Sequence, residues 1–366
     1  MNKAKENDEK GINELTNWLD NQVNGTTGGT TGGDDTSTTP KISTLVGKVV
    51  DKNTKAEDAY GNKITIPKGF KVVAHGTAAG SATYTYSGDN VPAVQDGIVI
   101  ENGTDGNQFV WVPVGTIKNK YNTTNTITLG RYSDFTAKNG VYTPAQAASV
   151  ENCTQEVTID TYFKELSTSR ISSSSSENTT ARNLAEFIST TLSNGGYYIA
   201  RFEASGTASK ITSKYNQAVL TGITQPNAAK AAREMYREIK ENNKLVYASD
   251  LVNSYAWDTA IIFIQTYSTG TDASTYASKN KSTSFAKTGI NNDKYCNIWD
   301  MSGNACEWTT EYSTKSSSSD FSPCVIRGGF CGAGNGGAYL SASDRNNTGT
   351  ADSSSYYGLR PLLYVK

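Results

Sequence analysis

The sequence predicts a loop-rich α+β protein, and its composition carries this prediction. Of the 366 residues, 36% are hydrophobic and 19% are charged. Small polar residues are abundant, and the chain contains 33 Gly and 21 Tyr. This mixture is typical of proteins with many turns and short strands, because Gly, Ser and Asn supply the conformations and local hydrogen bonds that turns need. It fits a helical bundle or a doubly wound α/β enzyme poorly.

The charge of the chain argues against a nucleic-acid-binding protein, and its hydropathy argues against a membrane-spanning helix in this sequence. The formal net charge is −1 and no run of Lys and Arg stands out, so the electrostatic footprint of a nucleic-acid partner is missing. No stretch of the chain is apolar over the roughly 18 residues that a membrane-spanning helix needs.

Composition divides the chain into three parts. Residues 1–24 form a helical stub, because five apolar residues recur at helical spacing. Residues 25–41, with repeated Thr and Gly, form a flexible linker. Residues 42–366 form the folded domain, with a polar insertion at 116–176. The apolar residues of the stub are Ile12, Leu15, Trp18, Leu19 and Val23.

Local patterns predict three helices and several strands in the domain. The helices are expected at Thr179–Leu192, which Asn194-Gly195-Gly196 ends, at Pro226–Glu241 and at Leu251–Gln265. The strands are expected at Ile64–Ile66, Phe70–Val73, Gly97–Ile100, Gln108–Val112 and Tyr197–Glu203.

Histidine and cysteine limit the chemistry available to the chain. A single histidine, His75, excludes sites built from two or three imidazoles. Five cysteines form an odd set without C-x-x-C spacing, so neither a zinc site nor a disulfide framework is indicated. We expect most of these cysteines to be reduced and structural.

The last third of the chain carries three motifs that occur together in one family. They are Asn297–Thr309, with the run DMSGNACEW, Val325–Phe330, with RGG, and Gly358–Pro361. With Phe109–Pro113 and Gly196–Glu203 upstream, their order and spacing resemble the formylglycine-generating enzyme family over roughly residues 100–366. The resemblance implies a C-type-lectin-like fold.

Most residues of these motifs have structural chemistry. We expect Trp299 and Trp308 to bury large apolar surfaces. Arg327 and Arg360 are expected to bury their guanidinium groups against carbonyls or carboxylates. The resemblance also raises calcium as a cofactor, with Asn304 and Glu307 as oxygen ligands at a tight turn; the alternative is that these two residues only cap the turn.

The resemblance does not extend to the catalytic residues of the family. Members that oxidise cysteine hold copper between two cysteines in the segment that follows the RGG strand, and this chain keeps only Cys331 there. Related iron-dependent enzymes need several histidines. The chain is therefore expected to bind without catalysing a reaction; the alternative is an oxidoreductase with a non-standard site, centred on Cys331.

Residues 331–357 combine many Tyr, Ser, Gly and Asn residues with a complete absence of Lys, Glu, Gln, Trp and Met. Binding loops use this combination of rigid aromatic and small polar side chains. Adenine-directed mutation of AAY codons cannot reach the five missing residues. The segment therefore resembles the variable region of proteins diversified by diversity-generating retroelements; a fixed Ser/Gly-rich loop is the alternative. The expected ligand-binding residues are Asn335, Tyr339, Ser341, Ser343, Asp344, Arg345, Asn346, Asn347, Asp352, Ser354, Tyr356 and Tyr357.

The N-terminal segment predicts a location. Asn2–Lys10 resembles the segment after the membrane helix of pilin-like surface proteins of Gram-positive bacteria. It implies a bacterial cell-surface or extracellular protein, tethered to a membrane or pilus through a segment upstream of Met1. The partner at loop region 330–357 is expected to be a protein or a glycan. A structural pilin-like subunit is the alternative function.

Overall fold

The protein is described by a computed structural model over residues 39–74, 91–151, 153, 156–171, 177–237, 239–242, 244–279, 285–315, 322–329 and 341–366. These residues belong to one unit, residues 39–366. Their structure is mostly sheet, with few helices and many loops, which agrees with the predicted α+β class. The expected N-terminal helix and residues 25–38 of the expected linker lie outside the described residues. Within the described ranges, no helix combines the length and apolarity required to cross a bilayer.

Three α-helices and three 3₁₀ helices are present in these ranges. The α-helices are α1 (Leu184–Asn194), α2 (Gln225–Met235) and α3 (Ser254–Tyr267). The 3₁₀ helices are Ile42–Leu45, Val94–Asp96 and Ala273–Ser278.

The strands fall into two groups along the chain. Those before α1 are β1 (Thr54–Glu57), β2 (Lys63–Ile66), β3 (Phe70–Val72), β4 (Val99–Asn102), β5 (Gln108–Pro113), β6 (Gly115–Lys118), β7 (Thr124–Ile127), β8 (Gly130–Arg131), β9 (Gln146–Ala147), β10 (Val157–Thr158) and β11 (Phe163–Glu165). Those after α1 are β12 (Gly196–Ala200), β13 (Ser205–Thr207), β14 (Lys210–Thr212), β15 (Ile239–Glu241), β16 (Lys244–Leu251), β17 (Lys294–Tyr295), β18 (Ile298–Trp299), β19 (Cys306–Ser313), β20 (Cys324–Arg327), β21 (Asn346–Thr348), β22 (Tyr357–Leu359) and β23 (Pro361–Val365).

A seven-stranded sheet, in the order β15-β16-β23-β12-β5-β4-β3, forms the centre of the fold. Side chains alternate across it, since successive residues of a strand point to opposite faces. Tyr197 and Ile199 join the core that contains α1 and α3. Tyr198 and Ala200 join a second core on the other face, which contains the apolar residues of β1–β3. Burial on both faces explains why the central strands contain so few polar residues.

Helix α3 is buried on almost every side. Asn253 caps its first turn by accepting a hydrogen bond from the N–H of Ala256. Trp257, Ile261 and Ile264 are fully buried. A helix surrounded in this way holds the side chains that it shares with other elements in fixed positions.

All three helices differ from the prediction at a boundary. Helix α3 begins at Ser254 rather than Leu251, which is the last residue of β16. Helix α1 begins at Leu184 rather than Thr179, because Asn183 accepts a hydrogen bond from the N–H of Glu186 and so caps the helix. The helix ends at Gly195, whose φ of 75° terminates it as predicted.

Helix α2 ends at Met235, and the prediction that it continues to Glu241 is wrong. The ring of Tyr236 packs against Phe70 and Tyr247 in the core. The N–H of Tyr236 donates to Ser249 Oγ, 2.9 Å away, so the backbone turns towards β16. The following residues form β15 because tertiary packing outweighs helix propensity.

A six-stranded sheet lies beside the central one. Its order is β10-β11-β19-β20-β21, and β22 pairs with β19 in parallel. Strands β10 and β11 come from the predicted polar insertion 116–176, which therefore contributes to the sheet as well as to loops. The long strand β19 carries Trp308, which is fully buried as predicted.

Replacement of Trp308 by Ala is expected to lower the free energy of unfolding by about 3–5 kcal/mol, because the truncation leaves a cavity. The indole also donates a hydrogen bond to the carbonyl of Ile223, 2.7 Å away, and its ring packs on Tyr357. Urea unfolding measures the effect. Tyr121→Ala is the control, since its side chain is exposed and should change stability by less than about 0.5 kcal/mol. A loss below about 1 kcal/mol for Trp308→Ala would contradict this placement.

Candidate functional site

Three motifs that lie far apart in the sequence meet on strand β19. Glu307 of this strand is opposite Arg327 of β20 in antiparallel pairing. On its other side Glu307 is opposite Gly358 of β22, in parallel pairing. The order of the motifs in the sequence did not reveal that they are neighbours. We call the three paired strands β19, β20 and β22 the framework.

Arg360 closes this framework by donating to three backbone carbonyls. Its guanidinium group lies 3.0 Å from the carbonyl oxygen of Ala200, 2.9 Å from that of Trp299 and 3.1 Å from that of Asp300. It also forms an ion pair with Glu307, at 2.7 Å. The predicted burial of this arginine against carbonyls and a carboxylate is confirmed.

Asn304 and Glu307, the predicted calcium ligands, are engaged with protein groups. Asn304 Oδ1 accepts from the N–H of Ala286 at 2.9 Å, and its Nδ2 donates to Glu203. Glu203 also accepts from the N–H of Ala305, at 2.9 Å. No group of three or more His, Cys, Asp or Glu able to hold a metal occurs in the described ranges. Asn304 thus links the turn to Ala286 and Glu203, whereas Glu307 pairs with Arg360. Calcium ligation by the two residues stays a prediction.

Burial sets the protonation of the two carboxyl groups here. It raises the pKa of Glu203 well above the ordinary value, and the neighbouring charges of Asp300 and Glu307 raise it further. Burial also raises the pKa of Glu307, although the charge of Arg360 opposes this effect. Both groups therefore hold their protons more strongly than exposed glutamates do.

A second buried set of charges connects five parts of the chain. This arginine–carboxylate cluster consists of Arg131 from β8, Arg327 from β20, Arg345 from the predicted loop, Asp258 from α3 and Glu311 from β19. Every member has a side chain that is at most 8% exposed. Such pairs hold their geometry because a buried charge without its partner costs several kcal/mol.

The three arginines set the charge state of Glu311. The guanidinium Nε of Arg345 lies 2.8 Å from Glu311 Oε1, and Nη1 of Arg327 lies 3.3 Å from Oε2. Burial alone would raise the pKa of Glu311, but the charges of Arg345, Arg131 and Arg327 outweigh it and lower the pKa to about 2. Glu311 is therefore ionised throughout the physiological range.

The first described residues of the predicted binding loop are fixed to their surroundings. The N–H and the hydroxyl of Ser343 both donate to the carbonyl of Ala277, at 3.0 and 2.8 Å. The indole of Trp257 donates to the carbonyl of Ala342, at 2.9 Å. Asp344 accepts from the N–H of Ser341 at 2.8 Å, which closes a tight turn. Ser341, Ser343 and Asp344 remain half-buried rather than fully covered.

Arg345 has a structural role that its place in the loop did not indicate. Besides contacting Asp258 and Glu311, its guanidinium donates to the carbonyl of Tyr132 at 3.3 Å. Its charge is therefore satisfied inside the protein rather than presented to a ligand.

The next predicted loop residues form an edge strand. Strand β21 pairs with β20, with Asn347 opposite Val325. Asn346 is exposed, and Asn347 is half-buried, with its amide donating to the carbonyl of Ser322. Asp352 accepts from the N–H of Ser354, at 3.2 Å, which forms the turn that follows the strand. The strand and the turn hold this part of the loop in one conformation.

Two tyrosines end the predicted binding region. The ring of Tyr356 stacks on Phe285, with centroids 5.7 Å apart and an angle of 11° between the planes. Tyr356 is 37% exposed and Phe285 is 41% exposed, so the pair presents aromatic surface to solvent. Tyr357 packs instead against the buried Trp308. The first tyrosine is available to a ligand, and the second mainly supports the core.

The other predicted residues lie outside the described ranges. Asn335 and Tyr339 do so, as do Cys331 and His75. The four cysteines in the described ranges, Cys153, Cys296, Cys306 and Cys324, are buried, as structural thiols commonly are. Burial raises the pKa of two of them, Cys296 and Cys324, well above the ordinary value, which disfavours the reactive thiolate form.

Sequence reasoning missed surface residues that adjoin the loop. Phe285 is one, and Phe135 and Tyr142 are others, since they line a cleft together with Ser341 and Ser343. All three lie in polar segments without periodicity. Isolated aromatic residues in otherwise polar segments were the only available signal.

Glu311→Gln is expected to destabilise the protein by about 3 kcal/mol at neutral pH, because it removes one carboxylate from three buried arginines. The folded-state pKa of about 2 lies below the ordinary 4.5. The contribution of Glu311 is therefore complete above pH 4.5 and is lost as the pH falls towards 2. The variant should lack this part of the acid dependence in urea unfolding. Glu177→Gln, at an exposed position, is the control. If the free energy of unfolding of Glu311→Gln fell with pH in the same way as that of the wild type, this account would be refuted.

Comparison with known proteins adds little to these observations. No family model matches the chain, and no curated protein matches it either. One solved structure, described as the crystal structure of CarF, aligns with 47% of this chain and 87% of its own, at 14% sequence identity and a TM-score of 0.30. A similarity of this size supports no conclusion about fold or function.

Proposed function

We propose that the chain is a non-catalytic ligand-binding protein whose binding surface is formed by its C-terminal loop region. The observation that carries this proposal is the contrast between backbone and side chains in residues 341–357. The backbone is held by strand pairing on β20 and β19 and by the arginine–carboxylate cluster. Asn346 and Tyr356, in contrast, have exposed side chains. A fixed backbone with variable, accessible side chains is the arrangement that binding surfaces need.

The proposed fold is C-type-lectin-like. Its support is the convergence of the three motifs on β19 and the burial of Arg327 and Arg360 within the framework. On this fold, the loop before the last strand would face the ligand. The proposed partner is a protein or a glycan at the surface of a bacterial cell.

We further propose that a diversity-generating retroelement diversifies the loop. The absence of Lys, Glu, Gln, Trp and Met from residues 331–357 supports this mechanism. Strand β21 would tolerate exchange of exposed side chains, because the backbone hydrogen bonds of the strand do not depend on side-chain identity.

Deep sequencing of the gene from a clonal culture tests the diversification. Codon variation should be confined to residues 331–357 and should occur at adenines of a nearby template copy. The codons for the framework residues Trp308 and Arg327 provide the internal control and should be uniform. A uniform loop without a template would remove diversification and leave a fixed binder.

Substitutions test the binding surface itself. The double variant Asn346→Ala/Tyr356→Ala should lose at least about tenfold in affinity for a ligand found on panels of defined oligosaccharides and bacterial surface proteins. Its free energy of unfolding should change by less than about 1 kcal/mol, because both side chains are exposed. Tyr162→Ala, a matched exposed tyrosine outside the loop, should retain full affinity. Unchanged binding by the double variant, or self-assembly as the only interaction found, would favour a structural pilin-like subunit instead.

A further inference from the structure

Two neighbouring clefts share two lining residues, and we refer to the two together as the groove. The first cleft has a volume of 390 Å³ and contains Phe135, Tyr142 and Ser341 in its wall. The second has a volume of 490 Å³ and is bordered by Tyr295. Thr275 and Ser278 line both clefts, so they form the boundary that the two share. Each cleft has the size of a small-ligand site.

The walls of the groove are fixed by a buried amide. Gln265 of α3 is 6% exposed. Its Nε2 donates to the carbonyl of Phe135 and its Oε1 accepts from the N–H of Ala277, both at 2.8 Å. One side chain therefore links the two sides of the first cleft. The N–H of Ala342 donates to the carbonyl of Lys279 at 3.0 Å, which attaches the loop to the same 3₁₀ helix region. The groove is thus a preformed part of the fold.

Hydroxyl groups and aromatic rings dominate the surface of the groove. Phe135 and Tyr142 offer half-buried rings in the first cleft. Asp134 contributes a carboxylate, whose pKa is lowered mainly by the hydrogen bond from the N–H of Thr136. The hydroxyl side chains include those of Ser133, Thr136, Ser274, Thr275, Ser278 and Ser343. Hydroxyl groups both donate and accept hydrogen bonds, so they match a ligand that does the same.

The charges of the groove disfavour an anionic ligand. The ammonium group of Lys279 lies 2.8 Å from Asp293 and 2.6 Å from the hydroxyl of Tyr295, so its charge is already paired. Asp134 borders the first cleft and Asp272 the second. The exposed ammonium group of Lys138 lies 3.9 Å from Asp134, but neither arginine nor lysine is among the described residues that line the first cleft. A phosphorylated or carboxylated ligand would meet these two carboxylates unfavourably.

We propose that this groove binds a neutral oligosaccharide, with the rings of Phe135 and Tyr142 stacking on the apolar face of a sugar and Asp134 accepting hydrogen bonds from its hydroxyls. The proposal rests on the ligand-binding function proposed above and names the class of ligand. Loop residues Ser341 and Ser343 would contact the same sugar chain, so that changes in the loop would alter which glycan fits.

The groove fits a peptide less well. Peptide grooves rely on deep apolar pockets for side-chain anchors or on an open strand edge, whereas this surface alternates rings with small hydroxyl side chains. A sugar presents alternating apolar and hydroxyl faces, and these match the rings and the hydroxyl groups respectively.

A substitution that fills the groove tests the proposal. Thr275→Trp places a bulky ring where the two clefts meet, at an exposed position outside the core. The full chain is applied to a printed array of neutral and sialylated oligosaccharides and to a peptide array. The wild type should bind neutral oligosaccharides, and Thr275→Trp and Phe135→Ala should each weaken that binding at least about tenfold. Thr116→Trp and Tyr121→Ala, which change exposed residues away from the groove, should bind like the wild type.

The outcomes separate this proposal from the function on which it rests. Oligosaccharide binding that is lost in Asn346→Ala/Tyr356→Ala but retained in Thr275→Trp would overturn the groove and leave the loop surface standing. Binding only to sialylated glycans, or only to peptides or surface proteins, would also overturn the neutral-oligosaccharide groove without affecting the ligand-binding function. No binding to any of these probes would overturn both.

Discussion

The buried arginine–carboxylate cluster fixes how five separate parts of the chain are placed relative to one another. Asp258 and Glu311 hold Arg131, Arg327 and Arg345, and these five residues come from a helix, three strands and the C-terminal loop. Ion pairs of this kind add little net stability, because desolvation offsets most of their attraction. Their importance lies in specificity. An arrangement that separates one arginine from its carboxylates leaves a buried charge unpaired, so alternative placements of the loop are disfavoured.

Arg360 and the arginine–carboxylate cluster position different parts of the chain. Arg360 joins the last strand to β12 and to the turn around Asp300 by satisfying backbone carbonyls. The arginine–carboxylate cluster joins helix α3 to the loop. Gly328 allows the close approach that both need: it has a φ of 90°, and a Cβ there would lie 3.2 Å from the carbonyl oxygen of Met301 and from the ring of Trp257. A larger residue at this position would be strained by the positive φ and would have to displace Met301 or Trp257 by a few tenths of an ångström.

The sequence predicted the elements whose signal is local. The existence of helix α3, the glycine that ends α1 and the burial of Trp308 were predicted correctly, because periodicity and residue type determine them. The predicted start of α3 was three residues too early. Helix α2 was predicted too long. It ends where the N–H of Tyr236 donates to Ser249, and this tertiary hydrogen bond leaves no pattern in the local sequence. The burial of Arg327 was predicted from the motif in which it lies. The burial of Arg345 against Asp258 and Glu311 was not predicted, because it too is a tertiary contact. Its partners lie 87 and 34 residues away in the chain.

The place of Arg345 limits how the loop can vary. A surface built for exchange of side chains needs positions that can change without cost to the fold, and Asn346 and Tyr356 meet that condition because they are exposed. Arg345 does not, since any shorter or uncharged side chain would leave Asp258 and Glu311 with fewer partners. Arginine also lies within reach of the mutated AAY codons, so its presence alone does not reveal this constraint. A diversifying mechanism acting on this segment must therefore either spare the codon of Arg345 or produce many chains that fail to fold. The variable surface would then consist of positions on both sides of one invariant arginine, which fixes the backbone that the variable side chains share.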